Sequence, residues 1–410
     1  MPETSSIPAV ASTVRKGPLS RFTILDATRV RAGPTAIRTF ADLGARVIKL
    51  EIPPGAPGGD DMIGGRDHNR ADYENLHRNK ESLTLNMKEP QGLEILHRLV
   101  KQADVFIENY RPDVKYRLNI GPDALRAINP RLVYASISGF GQDGPYANWP
   151  GFDSIAQGMG GLMSVTGKPE DGPMRVGIPI ADLCSGHFCA QAIMAALLER
   201  DVTGEGQWVH TSLLEAQIAM LDFQAAQWLV DRKVPTATGN EHPLTVPTGV
   251  FQTSDGYINL AAIGQNMWRR LCEALEMPQL VQEPGFGSDP ERVHNRARVN
   301  AAVGAVFKTR STAQWTERLL KAGVPCGPIY TVDHMFEDKQ VRHLGIARAM
   351  HHPELGDIAL VGLPMQFSNH PRSEGPLKPA PHQGDQTDAI LRDLGYAPEE
   401  VARLRERHVV

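Results

Sequence analysis

The chain has 410 residues, with 43 lysines and arginines against 47 aspartates and glutamates and a formal net charge of −4. That length accommodates two or three domains, or one large α/β domain with an insertion. The charge balance supplies none of the basic excess that duplex nucleic acid requires, so no nucleic-acid partner is expected and cationic sites must be sought locally.

Residues 1–20 are rich in Ser, Pro and Thr and predict a flexible tail without the apolar core of a secretion signal. Phe22–Asp26 (FTILD) is a β-prone run, broken by Arg31-Ala32-Gly33-Pro34. Thr35–Leu43 then has the apolar spacing of a helix, and Arg46–Glu51 (RVIKLE) reads as a second strand. Strand, turn, helix, strand implies a parallel sheet with right-handed crossovers. The rhythm repeats: Leu83–Leu85 is a strand, Gln91–Lys101 a helix, Asp104–Glu108 (DVFIE) a strand, Gly121–Ile128 a helix and Leu132–Ile137 a strand. The pattern predicts an α/β fold whose large domain is Rossmann-like, with ligands at the C-terminal ends of parallel strands. Dinucleotides are disfavoured, because the first strand leads into RAGP rather than GxGxxG. A phosphate loop is excluded where Pro169 follows Gly167-Lys168.

Further on, Ile180–Arg200 reads as a long helix, Gly204–Gln207 as a turn, Trp208–Thr211 as a short strand and Leu213–Val230 as a second long helix. Pro235–Pro247 has the Pro/Thr/Gly content of a linker. Beyond it, Gly249–Phe251, Tyr257–Ala261 and helices around Trp268–Leu275 and Ala313–Lys321 predict a smaller α+β domain; Asp385–Leu394 returns to helical spacing. The expected division is a tail over 1–20, a large domain over 21–230, a small domain with its linker over 231–330, and a return linker with the rest of the large domain over 331–410. Charges interrupt every apolar run before about 18 residues, so no membrane span is expected and a cytoplasmic location follows. Cys184, Cys189, Cys272 and Cys326 form neither a CxxC pair nor a zinc-spaced cluster, which predicts buried free thiols and no metal.

Polar segments at Arg29–Pro34, Leu76–Ser82, Glu108–Arg117 and Ser136–Pro145 each lie after a predicted strand or beside a turn. They offer Arg29, Arg31, Arg78, Lys80, Arg111, Lys115 and Arg117, the cations a ligand with several phosphates needs. Asp182 ends the run Gly177-Ile178-Pro179-Ile180-Ala181 at the start of the long helix. It reads equally as an N-cap and as a reactive carboxylate, beside helix amides able to hold an anion or a developing oxyanion.

The blocks LDATRVRAGP, ADLGARVIKLE, HRNKESLTLNMK, ADVFIENYRP, NPRLVYASISGFGQDGPYA, GFDSIAQGMGG, GIPIADLCSG, GNEHPLTVPTGVF and AGVPCGPI follow in order from Leu25 to Ile329. Together they resemble the family III CoA-transferases, which include formyl-CoA transferase, carnitine CoA-transferase and the bile-acid-inducible F proteins. The resemblance implies an enzyme that moves CoA from an acyl-CoA to a carboxylic acid, with Asp182 as nucleophile, coenzyme A thioesters as substrates and no permanently bound cofactor. The nucleotide is expected beside Arg31 and Ala32, flanked by Asn79 and Lys80, with Asn109, Tyr110 and Arg117 from one loop and Ser138, Gly139, Phe140 and Gly141 from another. His242, Thr245 and Thr248 are expected to border the acyl pocket. Three departures redistribute the phosphate contacts: Arg31 stands where some relatives carry Gln, Ile52 where some carry Arg, and Ser138 where formyl-CoA transferase carries Lys. The family also implies an interlocked homodimer. A run of consecutive glycines found in formyl-CoA transferase is missing, which disfavours oxalate and leaves a short dicarboxylate or a related acyl acid as the expected acid.

Two alternatives remain at this stage. The related 2-methylacyl-CoA racemases need a His/Asp acid–base pair, but here the segment is Gly151-Phe152-Asp153, and phenylalanine cannot carry a proton. Asp153 then reads as a hydrogen-bonding residue at a helix start. A non-catalytic acyl-CoA-binding protein is the other, set against the complete motif around Asp182. Attack by Asp182 on a thioester would open the exchange through a mixed anhydride and CoA thiolate, with a second aspartyl anhydride attacked by CoA. Such covalent steps divide one difficult displacement into easier ones.

Overall fold

The structure is a computed structural model that describes residues 17–56, 70–371 and 377–410. Most of the expected N-terminal tail, residues 1–16, lies outside the described residues. The chain forms two compact units. One comprises the described residues of Met1–Leu162, Gly177–Ala226 and Gly345–Val410; the other comprises Met163–Val176 and Gln227–Leu344.

In the first unit, β1 (Thr23–Ala27), α1 (Ala32–Asp42), β2 (Arg46–Glu51), α2 (Arg70–His77), β3 (Glu81–Thr84), α3 (Pro90–Val100) and β4 (Val105–Glu108) follow in order. Then come α4 (Pro112–Arg117), α5 (Pro122–Ile128), β5 (Val133–Ser138), α6 (Asp153–Met159), α8 (Ile180–Thr203), β6 (Trp208–Ser212) and α9 (Leu213–Ala219); α7 (Leu162–Val165) falls almost wholly in the second unit, and α10 (Phe223–Asp231) is divided between the two after Ala226. Six strands make one sheet in the order β3-β2-β1-β4-β5-β6, and every pairing is parallel. The order reverses between β1 and β4, so the loops leaving those strands diverge and open a crevice.

The strands read as unbroken apolar runs because both faces of a parallel sheet are covered. Ile24, Val47, Val105 and Val133 lie in register on one face. They share a core with Ile37 and Phe40 of α1 and Ile193 and Leu197 of α8. Their neighbours Leu25, Ile48, Phe106 and Tyr134 face the opposite core, built on Ile95 and Leu99 of α3 and Leu125 of α5. Proline in the first turn starts α3, α4 and α5, where a missing N–H costs nothing. Helix α8 stops at Gly204, whose φ of 80° is the left-handed C-terminal geometry glycine adopts freely.

The second unit holds β7 (Thr248–Gln252), β8 (Tyr257–Ala261), α11 (Gln265–Ala274), α12 (Asp289–His294), α13 (Arg296–Phe307), α14 (Thr312–Lys321), β9 (Cys326–Pro328), α15 (Val332–Glu337) and α16 (Lys339–Leu344). Its three strands are antiparallel, in the order β7-β8-β9, around buried Trp268, Phe307 and Trp315. The chain then returns to the first unit through the hairpin β10 (Ala347–His352) and β11 (Gly356–Val361), followed by α17 (Thr387–Asp393) and α18 (Pro398–Glu406).

Two expectations need correction. The single helix over Leu213–Val230 is two, α9 and α10, because Asp222 adopts a φ of 46° that no continuous helix allows. Helix α8 is also long and apolar enough, by length and composition, to cross a bilayer, contrary to the reading that no run reaches that length. Half of its most apolar window is buried, in part against α1 and the sheet.

Candidate active site

The crevice is built on two buried carboxylates at the ends of β1 and β4. Asp26 accepts hydrogen bonds from the backbone N–H of Thr28 at 3.0 Å and from Lys80 Nζ at 2.8 Å. Glu108 accepts from the backbone N–H of Tyr110 at 2.8 Å and from Lys115 Nζ at 3.2 Å. Each acid therefore fixes the loop two residues beyond its position, and each lysine balances it. The side chains of all four are fully buried. A buried charge without its partner would be strongly destabilising, so these pairs are structural commitments. Arg78 is likewise buried, against Asp42 at 2.6 Å. The expectation that Arg78, Lys80 and Lys115 present their charges to a ligand is thus corrected: all three point inward to carboxylates.

The loops leaving β1 and β4 meet. Asn109 Oδ1 accepts from the Arg29 N–H at 2.9 Å while Asn109 Nδ2 donates to the Arg29 carbonyl at 2.8 Å, tying the β4 loop to the β1 loop. The Arg29 guanidinium lies 6.0 Å from the centre of the Tyr110 ring. After β5, Ser138 Oγ accepts from the Gly141 N–H at 3.0 Å. A Cβ on Gly139 would stand 2.8 Å from Gly151 Cα, so backbone meets backbone there, and Phe140 packs edge-on against Tyr146 and Trp149. Asn79, at φ 64°, exchanges two hydrogen bonds with Lys378, through its N–H (3.1 Å) and its Oδ1 (2.8 Å). Asn79 and Lys80 line a cavity of about 340 Å³ shared with His352, Lys378 and His382. Arg117 extends into solvent, with only a 3.3 Å contact to Asp113 one turn away.

Asp182 is not the cap of its helix. Pro179 occupies the N-cap position of α8, no side chain caps it from there, and Asp182 lies in the first turn. The end of α8 is held instead by Asp153 of α6. Its Oδ1 accepts from the Ala181 N–H at 2.8 Å and the Asp182 N–H at 3.3 Å, and its Oδ2 accepts from Gln157 Nε2 at 2.7 Å. Asp182 is half-buried, and among the described residues its carboxylate receives no hydrogen bond. Burial pushes its pKa up, the Asp153 charge pushes in the same direction, and Arg31 opposes them. The outcome is about 7. Arg31 is also paired with Asp72, its Nη1 and Nη2 donating to both carboxylate oxygens at 3.0 and 2.6 Å.

Gly186 explains why Asp182 lies beside this loop. It is four residues on, hence on the same face of α8. A Cβ there would come within 2.6 Å of the Ala32 carbonyl oxygen. The glycine lets α8 close on the start of α1, which sets Asp182 next to Arg31 and Ala32.

In the second unit, His242, Thr245 and Thr248 share one turn. The His242 N–H donates to the Thr248 carbonyl at 3.0 Å, and Arg292 and Arg296 hold the carbonyls of Val246 and His242. The hydroxyls of Thr245 and Thr248 are buried with no partner among the described residues.

Residues 19–387 match the model of CoA-transferase family III. The chain belongs to this family. It is 35% identical to the human succinyl-CoA:glutarate CoA-transferase, over 96% of this chain and 90% of that protein. It is 36% identical to the succinate–glutarate CoA-transferase of Agrobacterium fabrum, over 93% and 96%, and 35% identical to the acetyl-CoA:oxalate CoA-transferase of Acetobacter aceti, over 94% and 97%. Among solved structures, a CAIB/BAIF family protein from Brucella suis superposes with a TM-score of 0.79 at 33% identity, over 92% of this chain and 99% of that one.

Within this family III site, the sequence reading missed Asp26, Glu108 and Asp72. A lone acid ending an apolar strand, as in FTILD and DVFIE, was the signal available for the first two. A carboxylate there is tolerated only with an internal cation, and each is followed later by the lysine that supplies it.

Proposed function

We propose that this family III CoA-transferase moves CoA from an acyl-CoA to a short dicarboxylic acid through the carboxylate of Asp182. The observation that carries the reading is Asp182 itself: half-buried, without a hydrogen bond to its carboxylate, and set by Gly186 against the loop at the switch point of the sheet. Such a carboxylate is weakly solvated and ionises near neutrality. Its oxygen attacks the donor thioester carbonyl and the C–S bond breaks, giving a mixed anhydride and CoA thiolate. The thiolate attacks the aspartyl carbonyl, releasing the donor acid and leaving an aspartyl–CoA thioester. An acceptor carboxylate displaces the thiolate to form a second anhydride. The thiolate then attacks the acceptor carbonyl, so the new acyl-CoA departs and the Asp182 carboxylate is restored.

The coenzyme lies over the C-terminal edge of the sheet, along the loops bearing Arg31, Ala32, Asn109, Tyr110 and Ser138–Gly141, with Asn79 and Arg117 toward the nucleotide. Support comes from the joined β1 and β4 loops and the cavity beside Asn79. The dicarboxylate acceptor is supported by relatives named for succinate, glutarate and oxalate. The working form is an interlocked homodimer, a reading supported by large apolar side chains left exposed on the single chain, Trp228, Leu229, Val230 and Val234 among them. Racemase chemistry lacks its base, since Phe152 stands 65% exposed and Asp153 is engaged with the amides of α8. Asp182→Asn tests the proposal: the folded variant is expected to lose thioester exchange, and turnover at the wild-type rate would overturn the reading.

A further inference from the structure

We propose that Arg31 is the residue that recognises the distal carboxylate of a dicarboxylic acyl group at this site, presented for that purpose by Asp72. The inference rests on the reading of Asp182 as nucleophile and assigns to Arg31 a role beyond neighbouring the nucleotide.

Three observations carry it. Arg31 immediately precedes Ala32, whose carbonyl meets α8 at Gly186, one turn along from Asp182. The guanidinium acts electrostatically on the reacting carboxyl yet makes no hydrogen bond to it among the described residues. Second, both of its hydrogen bonds run to Asp72, and the side chain remains 27% exposed. A guanidinium has more N–H donors than one carboxylate can use, so the edge carrying Nε stays available for a second carboxylate. Held by Asp72, the fork keeps its orientation before substrate arrives, which lowers the entropy lost on binding. Third, the local charge is not neutralised within the protein. Arg38 lies within electrostatic reach of both Arg31 and Arg78 and of the carboxylates of Asp42 and Asp72. The Nε of Arg38 is buried without a partner among the described residues, and its Nη1 goes to the neutral side chain of Asn75. Three guanidiniums thus face two carboxylates, and Asp182, the further carboxylate acting on Arg31 in the free enzyme, loses its charge once acylated. A monocarboxylic acyl group, once its carboxyl has become a thioester or anhydride, brings no anion to meet Arg31. A short dicarboxylic one does, with its second carboxylate.

The test compares wild type, Arg31→Gln and Arg31→Lys in labelling of Asp182 by succinyl-CoA and by butyryl-CoA, which has the same chain length without the distal carboxylate. Hydroxylamine traps the activated carboxyl, and the hydroxamate at residue 182 is followed over time. Wild type is expected to react faster with succinyl-CoA. Arg31→Gln should lose about tenfold or more of the preference for succinyl-CoA over butyryl-CoA, the scale of a charge-assisted contact, any loss shared by both thioesters reporting the Arg31 charge that lowers the Asp182 pKa. Arg31→Lys keeps the charge without the fork and should show a smaller loss of the preference for succinyl-CoA; it decides the matter if the glutamine variant fails to fold. Equal losses on both thioesters, or none on either, overturn the assignment of Arg31 and leave the transferase reading intact. No hydroxamate at residue 182 in wild type with any acyl-CoA overturns both.

Discussion

Asp182 ionises near 7, whereas a carboxyl in an unfolded chain does so near 4. The folded chain therefore holds this proton more tightly. Below about pH 4 both states are protonated and the folded state keeps that advantage in full; it is lost as pH rises through about 7. Asparagine carries no such proton. Asp182→Asn is thus expected to match wild type in thermal stability near pH 4 and to exceed it at pH 8, and a variant less stable at pH 8 would contradict a desolvated carboxylate. In the free enzyme the same ionisation should set the acidic limb of kcat/KM close to pH 7. Asp153→Asn removes the charge that helps raise Asp182 while keeping an oxygen for the amides of Ala181 and Asp182, so the limb should move to lower pH. An unmoved limb would separate Asp153 from the ionisation. At the nucleotide end, Arg117→Ala is expected to raise KM for CoA thioesters about tenfold, the loss of one charge-assisted contact. An unchanged KM for every CoA thioester would make Arg117 an ordinary surface charge.

Between elements, the contact that matters most to the site is α8 against α1. Gly186→Ala places a methyl 2.6 Å from a backbone oxygen, and backbone yields less readily than a side chain. The expected cost is about 1–3 kcal/mol in urea unfolding, with a fall in turnover larger than that in Asp182-independent properties such as secondary structure content. Unchanged stability and turnover would mean the helices part without consequence. This level also explains what the sequence made legible. Strands β1, β2, β4 and β5 were readable because burial on both faces demands continuous apolar runs. The hairpin β10–β11 was not, since exposure alternates along both strands while residue type does not follow it, with Ala359 and Val361 on exposed positions of GDIALV. The break between α9 and α10 was invisible because apolar residues continue across Asp222, and only its backbone angle ends the helix. Lys80 and Lys115 were misassigned because their position after a strand is readable, but the buried carboxylate they face depends on how the strands stack. The helix start beside Asp182 was legible in the sequence. The place of Asp182 in the first turn, with the capping role taken by Asp153 from α6, required the fold.

For the whole molecule, the interlocked homodimer predicts a dimer in sedimentation equilibrium that yields no folded monomer on dilution, because threaded chains separate only by opening. A folded monomer at working concentration would refute it. The central claim concerns chemistry, however, and one measurement bears on it most directly. The enzyme is mixed with an acyl-CoA in the presence of hydroxylamine, and the chain is then mapped by peptide mass spectrometry. A covalent route through Asp182 predicts a hydroxamate at residue 182 that appears only with acyl-CoA and is absent from Asp182→Asn. A chain that exchanges CoA between acids while residue 182 stays unmodified would contradict the account.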